Sequence, residues 1–146
     1  MRGYLRLEML DFVVVVAEAE AGIIVLRSYK HGPAEIVTNL PAGYLEPGEE
    51  PSAAARRELL EETGHATELW EELGSFVVDG NRGAGTVHVF LAHGTRAVAA
   101  PDAGDLEATE MTFLSRNALA EAVHAGQISV LPMAAAALLA LSRLRG

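Results

Sequence analysis

Three glutamates, Glu58, Glu61 and Glu62, stand close together in the middle of the sequence. At the spacing i, i+3 and i+4 their carboxylates would gather on one face of a helix. Three like charges on one face repel each other, and a hard divalent cation removes this conflict, because Mg²⁺ binds carboxylate oxygens and keeps waters and substrate phosphates as its other ligands. A solvated acidic surface has the same pattern, so the glutamates alone leave both interpretations open.

The residues around these glutamates form a longer motif, GYLEPGEEPSAAARRELLEETGH. It resembles the Nudix box, G-x5-E-x7-R-E-U-x-E-E-x-G-U, in which U is a bulky apolar residue. The fixed positions are occupied by Gly43, Glu49, Arg57, Glu58, Glu61, Glu62 and Gly64. The last position departs from the pattern, because His65 replaces an apolar side chain. We expect His65 to be a packed or half-exposed histidine without a catalytic role.

This resemblance implies the Nudix fold, an α/β/α sandwich around a mixed β-sheet, and hydrolysis of a nucleoside diphosphate linked to another moiety. Mg²⁺, or Mn²⁺ in its place, is the implied cofactor. The implied metal ligands are the three helix glutamates and the backbone carbonyl of Ala42 or Gly43. Glu49 would pair with Arg57, in a bidentate geometry that lysine cannot copy, and would thereby orient Glu58. Glu49, Arg57 and Glu61 are accordingly predicted to be catalytic.

The substrate class is suggested by a second stretch, LRSYKHGPAEIVTNLPAGYLEPGE. It resembles the ADP-ribose pyrophosphatase branch of the family, which acts on ADP-ribose and related nucleoside diphosphate sugars. In that branch the general base is often a glutamate on the loop before the last strand. This implies Glu107 as the base, with Asp105 and Glu110 as alternatives.

Three basic residues are candidates for binding the substrate. Arg27, on a predicted strand, and Lys30, directly after that strand, could hold a phosphate or a ribose. Arg82 lies with Asp79 and Asn81 in a glycine-rich loop that could cover the substrate. That loop, DGNRGAG, lacks the GK[ST] ending of a P-loop.

The leading hypothesis is Mg²⁺-dependent hydrolysis of ADP-ribose to AMP and ribose 5-phosphate. One alternative is a Nudix hydrolase of nucleoside triphosphates or dinucleoside polyphosphates, and another is a non-hydrolytic Nudix domain that senses a nucleotide. Only about 11 residues precede the first strong strand, and no proline follows the box before Pro101. Because these features depart from the branch, a homodimer and adenosine specificity both remain open.

The composition and net charge of the chain exclude some classes of binding partner and of metal site. The 146 residues form one predicted domain, 1–146, with 20 Asp and Glu against 11 Lys and Arg and a net charge of −9. Such a surface repels nucleic acid polymers and anionic membranes. The chain has no cysteine, which excludes disulfides and thiolate metal sites. No targeting segment stands out, and we expect a cytoplasmic protein.

Hydrophobic patterning and turn signals predict the elements that hold the motif. Strands are expected over 12–17, 22–29, 35–38, 74–78, 86–92, 96–100 and 110–114. Helices are expected over 52–63, 117–125 and 132–144. Ser52 would cap the first helix and Gly64 would end it, while Leu59 and Leu60 would anchor it to the core. Strands and helices that mix without strict alternation predict an α/β sandwich with a mixed sheet.

Overall fold

The computed structural model describes residues 3–102 and 109–145. Its strands are β1 (Phe12–Ala19), β2 (Gly22–Lys30), β3 (Glu35–Asn39), β4 (Ala42–Tyr44), β5 (His65–Ala66), β6 (Leu69–Asp79), β7 (Gly83–Ala97) and β8 (Glu110–Leu114). Its helices are α1 (Pro51–Thr63), α2 (Arg116–His124) and α3 (Leu131–Leu144). None of the helices in these two ranges is long and apolar enough to cross a membrane.

The sheet is mixed. β1 and β7 run parallel, whereas the other strand pairs of the described ranges are antiparallel. β1 and β2 are paired beside their turn, at Glu18 and Ile23, and then diverge. Beyond that point β1 pairs with β4, and β2 pairs with β3. β4 therefore lies where the two strands separate, and the Val15 N–H donates to the Pro41 carbonyl at 2.8 Å to hold the corner.

Apolar cores lie on both faces of the sheet. On one face Val13 and Val15 pack under α1, through residues that include Leu59. On the other face Val14 and Val16 pack against α2 and α3. Successive residues of β1 thus alternate between the two cores, as the pleat of a strand requires. The predicted α/β/α sandwich around a mixed sheet is confirmed.

The start of α1 differs from the prediction. The helix begins at Pro51, and its N-cap is Glu50, whose side chain makes no capping hydrogen bond. Ser52 therefore lies inside the first turn. Proline is favoured at the first helical position because its missing N–H would have no partner there. The predicted end is confirmed, since Gly64 adopts a left-handed conformation with φ 69° and its N–H donates to Leu60.

Two further predictions about the elements were wrong. No separate strand forms over 96–100, because β7 continues through Ala97 while paired with β5 and β1. Leu60 does not anchor α1, since it is 41% exposed whereas Leu59 is fully buried. The short strands β4 and β5 were not predicted, because three and two residues carry no periodic signal.

The two adjacent leucines of α1 provide a matched test of how the helix is anchored. We expect Leu59→Ala to lower the free energy of unfolding by about 2–5 kcal/mol, because it leaves a cavity beneath the helix. Leu60→Ala should lower it by about 1 kcal/mol or less, since that side chain is partly in solvent. Urea denaturation of both variants measures the difference, and equal losses would contradict this packing of α1.

Candidate active site

The acidic face of α1 lies directly on the backbone of β4. The Ala42 N–H points at the Glu62 Oε2, 3.4 Å away. A Cβ at position 43 would overlap the carboxylate of Glu58, so only glycine permits this approach. The glycine that opens the motif is thus explained by the contact between strand and helix.

Glu58 and Glu62, called here the acidic pair, have their carboxylates side by side. Burial and the hydrogen bond and charge of Glu58 raise the pKa of Glu62, while the Ala42 N–H and the charge of Lys30 act in the opposite direction. Two carboxylates held side by side and largely shielded from water repel each other, and a proton or a bound cation removes this repulsion. Because these donors are all oxygens, the acidic pair fits a hard divalent ion such as Mg²⁺ or Mn²⁺.

Arg57 connects the helix to the loop that precedes it. Its guanidinium forms a bidentate ion pair with Glu49, with both N–O distances 2.9 Å. It also donates to the Tyr44 carbonyl at 3.1 Å and to Glu58 Oε1 at 2.8 Å. The expected Glu49–Arg57 pair is therefore present, and the same guanidinium fixes one oxygen of the acidic pair.

Glu61, the remaining glutamate of the three on α1, is oriented differently from the acidic pair. Glu61 accepts a hydrogen bond from Arg57 at 3.3 Å, and its side chain is 46% exposed. Accordingly, no three His, Asp or Glu side chains of the described residues are already grouped as a metal-binding cluster. Ala42 also presents its N–H, rather than its carbonyl, to Glu62. The structure thus brings two of the three predicted carboxylate ligands together.

The predicted substrate-binding residues are dispersed. Arg27 and Lys30 are both exposed on β2 but face opposite sides of the sheet, because they are three positions apart along the strand. Lys30 is on the α1 side and acts electrostatically on Glu62. Arg82 is at the tip of the β6–β7 hairpin, where its carbonyl accepts from Leu7 at 2.8 Å. Lys30 is therefore the one of the three that the structure places near the acidic pair.

Of the three acids considered for the general base, the structure describes Glu110 alone. Asp105 and Glu107 lie outside the described residues. Glu110 begins β8 opposite Arg27, on the face of the sheet away from α1. The Asp102 N–H donates to the Glu61 carbonyl at 2.7 Å, so the chain leading to position 103 starts beside α1.

His65, the departure from the motif, is packed as expected. It is 6% exposed, and its Nδ1 lies 2.9 Å from the Thr63 carbonyl. A carbonyl accepts only, so Nδ1 carries the proton. Its ring also meets Phe113 edge-on, with 6.1 Å between the ring centroids.

Asn39 was not predicted as part of the site. This last residue of β3 is 3% exposed, and neither its Oδ1 nor its Nδ2 has a hydrogen-bond partner. The signal in the sequence was weak: a single amide at the end of a short strand, three residues before Ala42.

Comparison with known proteins assigns the family. The family model described as NUDIX domain matches residues 8–133. The chain belongs to the Nudix family. An ADP-ribose pyrophosphatase of Bacillus subtilis (strain 168) is 37% identical over 81 residues, which are 55% of this chain and 44% of that protein. An ADP-ribose pyrophosphatase of Mycobacterium tuberculosis is 35% identical over 101 residues, 68% of this chain and 48% of that protein.

A solved structure supports the fold of this Nudix chain. It carries the description "ADP compounds hydrolase", with a TM-score of 0.80 at 19% identity, and the alignment covers 97% of this chain and 77% of the other. The Nudix fold predicted from the sequence is thus confirmed. The chain spans less than half of the length of each of these two curated relatives.

The ion pair between Glu49 and Arg57 predicts a pH-dependent contribution to stability. The hydrogen bond from Arg57 lowers the pKa of Glu49 from 4.5 to about 2, so this contribution is present above 4.5 and is lost as the pH falls towards 2. Glu49→Gln should therefore unfold more easily than the unmodified chain at pH 7, and the difference should close as the pH falls from about 4.5 to about 2.

Urea denaturation across this pH range measures the effect. Glu46→Gln is the matched control, because Glu46 lies 3.9 Å from Arg57 and its side chain is 67% exposed. A pH-independent difference for Glu49→Gln would contradict the role of the ion pair.

Proposed function

We propose that this Nudix protein hydrolyses the pyrophosphate bond of a nucleoside diphosphate sugar, ADP-ribose first, with Mg²⁺ or Mn²⁺ as cofactor. The observation that carries the proposal is the acidic pair, pressed against the backbone of β4 behind an intact Glu49–Arg57 ion pair. The names of the curated relatives support ADP-ribose as the substrate.

The metal ligands we propose are Glu58, Glu61 and Glu62, with the backbone carbonyl of Ala42 or Gly43. A divalent ion bound there would polarise the phosphoryl oxygens and lower the pKa of the attacking water. Neutralisation is also required for binding, because a diphosphate is repelled by a chain of net charge −9.

The chain's own cations have distinct proposed roles. Arg57, paired with Glu49, holds the box loop (residues 45–50) against α1 and orients Glu58. Lys30 is exposed on the same side of the sheet as the acidic pair and would bind a phosphate oxygen. Arg27, on the opposite side of β2, and Arg82, at the hairpin tip, remain weaker candidates. A homodimer and a cytoplasmic location also remain predictions.

We expect the chain to release AMP and ribose 5-phosphate from ADP-ribose when Mg²⁺ is present, and to stop when the ion is chelated. Glu62→Gln should lower kcat/KM about 100-fold or more, because it removes a charge that holds the ion. Product-resolved chromatography measures this turnover. Glu121→Gln, an exposed acid on α2, is the matched control and should retain full activity.

Other products would separate the alternatives. Pyrophosphate released from nucleoside triphosphates, or mononucleotides released from dinucleoside polyphosphates, without cleavage of ADP-ribose, would replace the proposed substrate class. Tight binding of a nucleotide without hydrolysis of any of these substrates would favour the non-hydrolytic sensing domain.

Glu107 remains our choice for the general base. Glu107→Gln should lower kcat by about 10²–10⁴-fold, the usual contribution of general acid–base catalysis, while the affinity for Mn²⁺ changes little. Asp105→Asn is the matched variant in the same predicted loop and should be nearly as active as the unmodified chain. If Asp105→Asn shows the loss and Glu107→Gln does not, the base is assigned to Asp105 instead.

A further inference from the structure

Among the described residues, the side-chain polar atoms that are fully shielded from solvent and lack a hydrogen-bond partner are the Oδ1 and Nδ2 of Asn39. Both of these atoms are shielded from solvent, and the residue as a whole is 3% exposed. An unpaired buried amide weakens the folded state, so such a group calls for an explanation. An apolar side chain of similar size would fill this position without that cost.

The register of β3 places the Asn39 side chain on the α1 side of the sheet. Asn39 is directly opposite Leu26 on β2, and residues directly opposite each other share a face. Ile24, two residues from Leu26, packs in the core under α1. Lys30 is on this face too, and its charge acts on Glu62. The unpaired amide therefore belongs to the same layer as the acidic pair.

Glu62 has an incomplete set of hydrogen bonds on that side. Its donor from β4 is the Ala42 N–H at 3.4 Å, a long contact for an N–H to carboxylate bond. A carboxylate that ligates an ion through one oxygen is normally oriented by a hydrogen bond to the other oxygen. Asn39, three residues before Ala42 along the chain, carries two unused N–H donors.

We propose that Asn39 is a positioning residue for Glu62: its Nδ2–H donates to the Glu62 carboxylate when a divalent cation is bound, and so orients that ligand. This inference rests on the proposed function, because it assigns the partner of the amide to the ion-loaded site. It explains why an amide is kept where an apolar residue would stabilise the ion-free chain.

The test is Mn²⁺ binding to the ion-free protein, measured by titration calorimetry without substrate. Asn39→Leu should weaken Mn²⁺ binding about 10–100-fold, the usual effect of removing a partner of a metal ligand. The same variant should unfold at an equal or higher temperature than the unmodified chain when no ion is present, because it removes the unpaired amide. Asn39→Ala, which adds no bulk, should weaken Mn²⁺ binding by a similar factor.

Thr38→Val is the matched control. Thr38 precedes Asn39 on β3 and lies opposite Arg27, on the other face of the sheet. The Mn²⁺ affinity of the Thr38→Val variant should therefore stay within about twofold of that of the unmodified chain. Unchanged Mn²⁺ binding in both Asn39 variants would overturn the role of Asn39 and leave the proposed function intact. An unmodified chain that binds no Mn²⁺ would instead overturn the proposed function together with the inference.

Should Asn39→Leu fold but unfold at a lower temperature without ions, the amide already stabilises the ion-free chain and the inference is wrong. Should Asn39→Leu fail to fold, the Mn²⁺ affinity of Asn39→Ala decides, since that side chain is smaller than the one it replaces.

Discussion

The site depends on one close contact, in which the acidic face of α1 lies on the backbone of β4. Gly43 permits it, because any Cβ there would overlap the Glu58 carboxylate. The contact also brings Glu62 to the Ala42 N–H. Burying two carboxylates this way is unfavourable unless positive charge or donors surround them. The other polar features of the site follow from that requirement.

Arg57 meets part of the requirement from the helix itself. One guanidinium contacts Glu49, Glu58, Glu61 and the Tyr44 carbonyl, and this needs the planar, forked arrangement of donors that arginine has. Lys30 supplies a second positive charge from β2. These two cations leave part of the negative charge of the acidic pair uncompensated. A divalent cation can neutralise the rest, and its preference for carboxylate oxygens suits it to this position.

The patterning of the sequence was sufficient for the longer elements. β1 and β2 carry β-branched runs, and α1 has Gly64 at its end, so local signals agree with the tertiary structure there. β4 and β5 are strands because β1 and β7 pair with them, and no local signal specifies such short segments. The alternation of side chains along β2 could have separated Arg27 from Lys30 in advance, since residues at odd spacing point to opposite faces.

The sequence by itself determined the helix that carries Glu58, Glu61 and Glu62, because the signals for it lie close together in the chain, and the resemblance to the Nudix box implied the family and the pairing of Glu49 with Arg57. The tertiary structure decided that the acidic pair lies on the backbone of β4, that Lys30 approaches Glu62 and that Asn39 is buried without a partner. The physical reason is that these contacts join distant segments. Their geometry depends on where β1 and β2 diverge and on which face of the sheet α1 covers, and neither is encoded in the spacing of neighbouring residues.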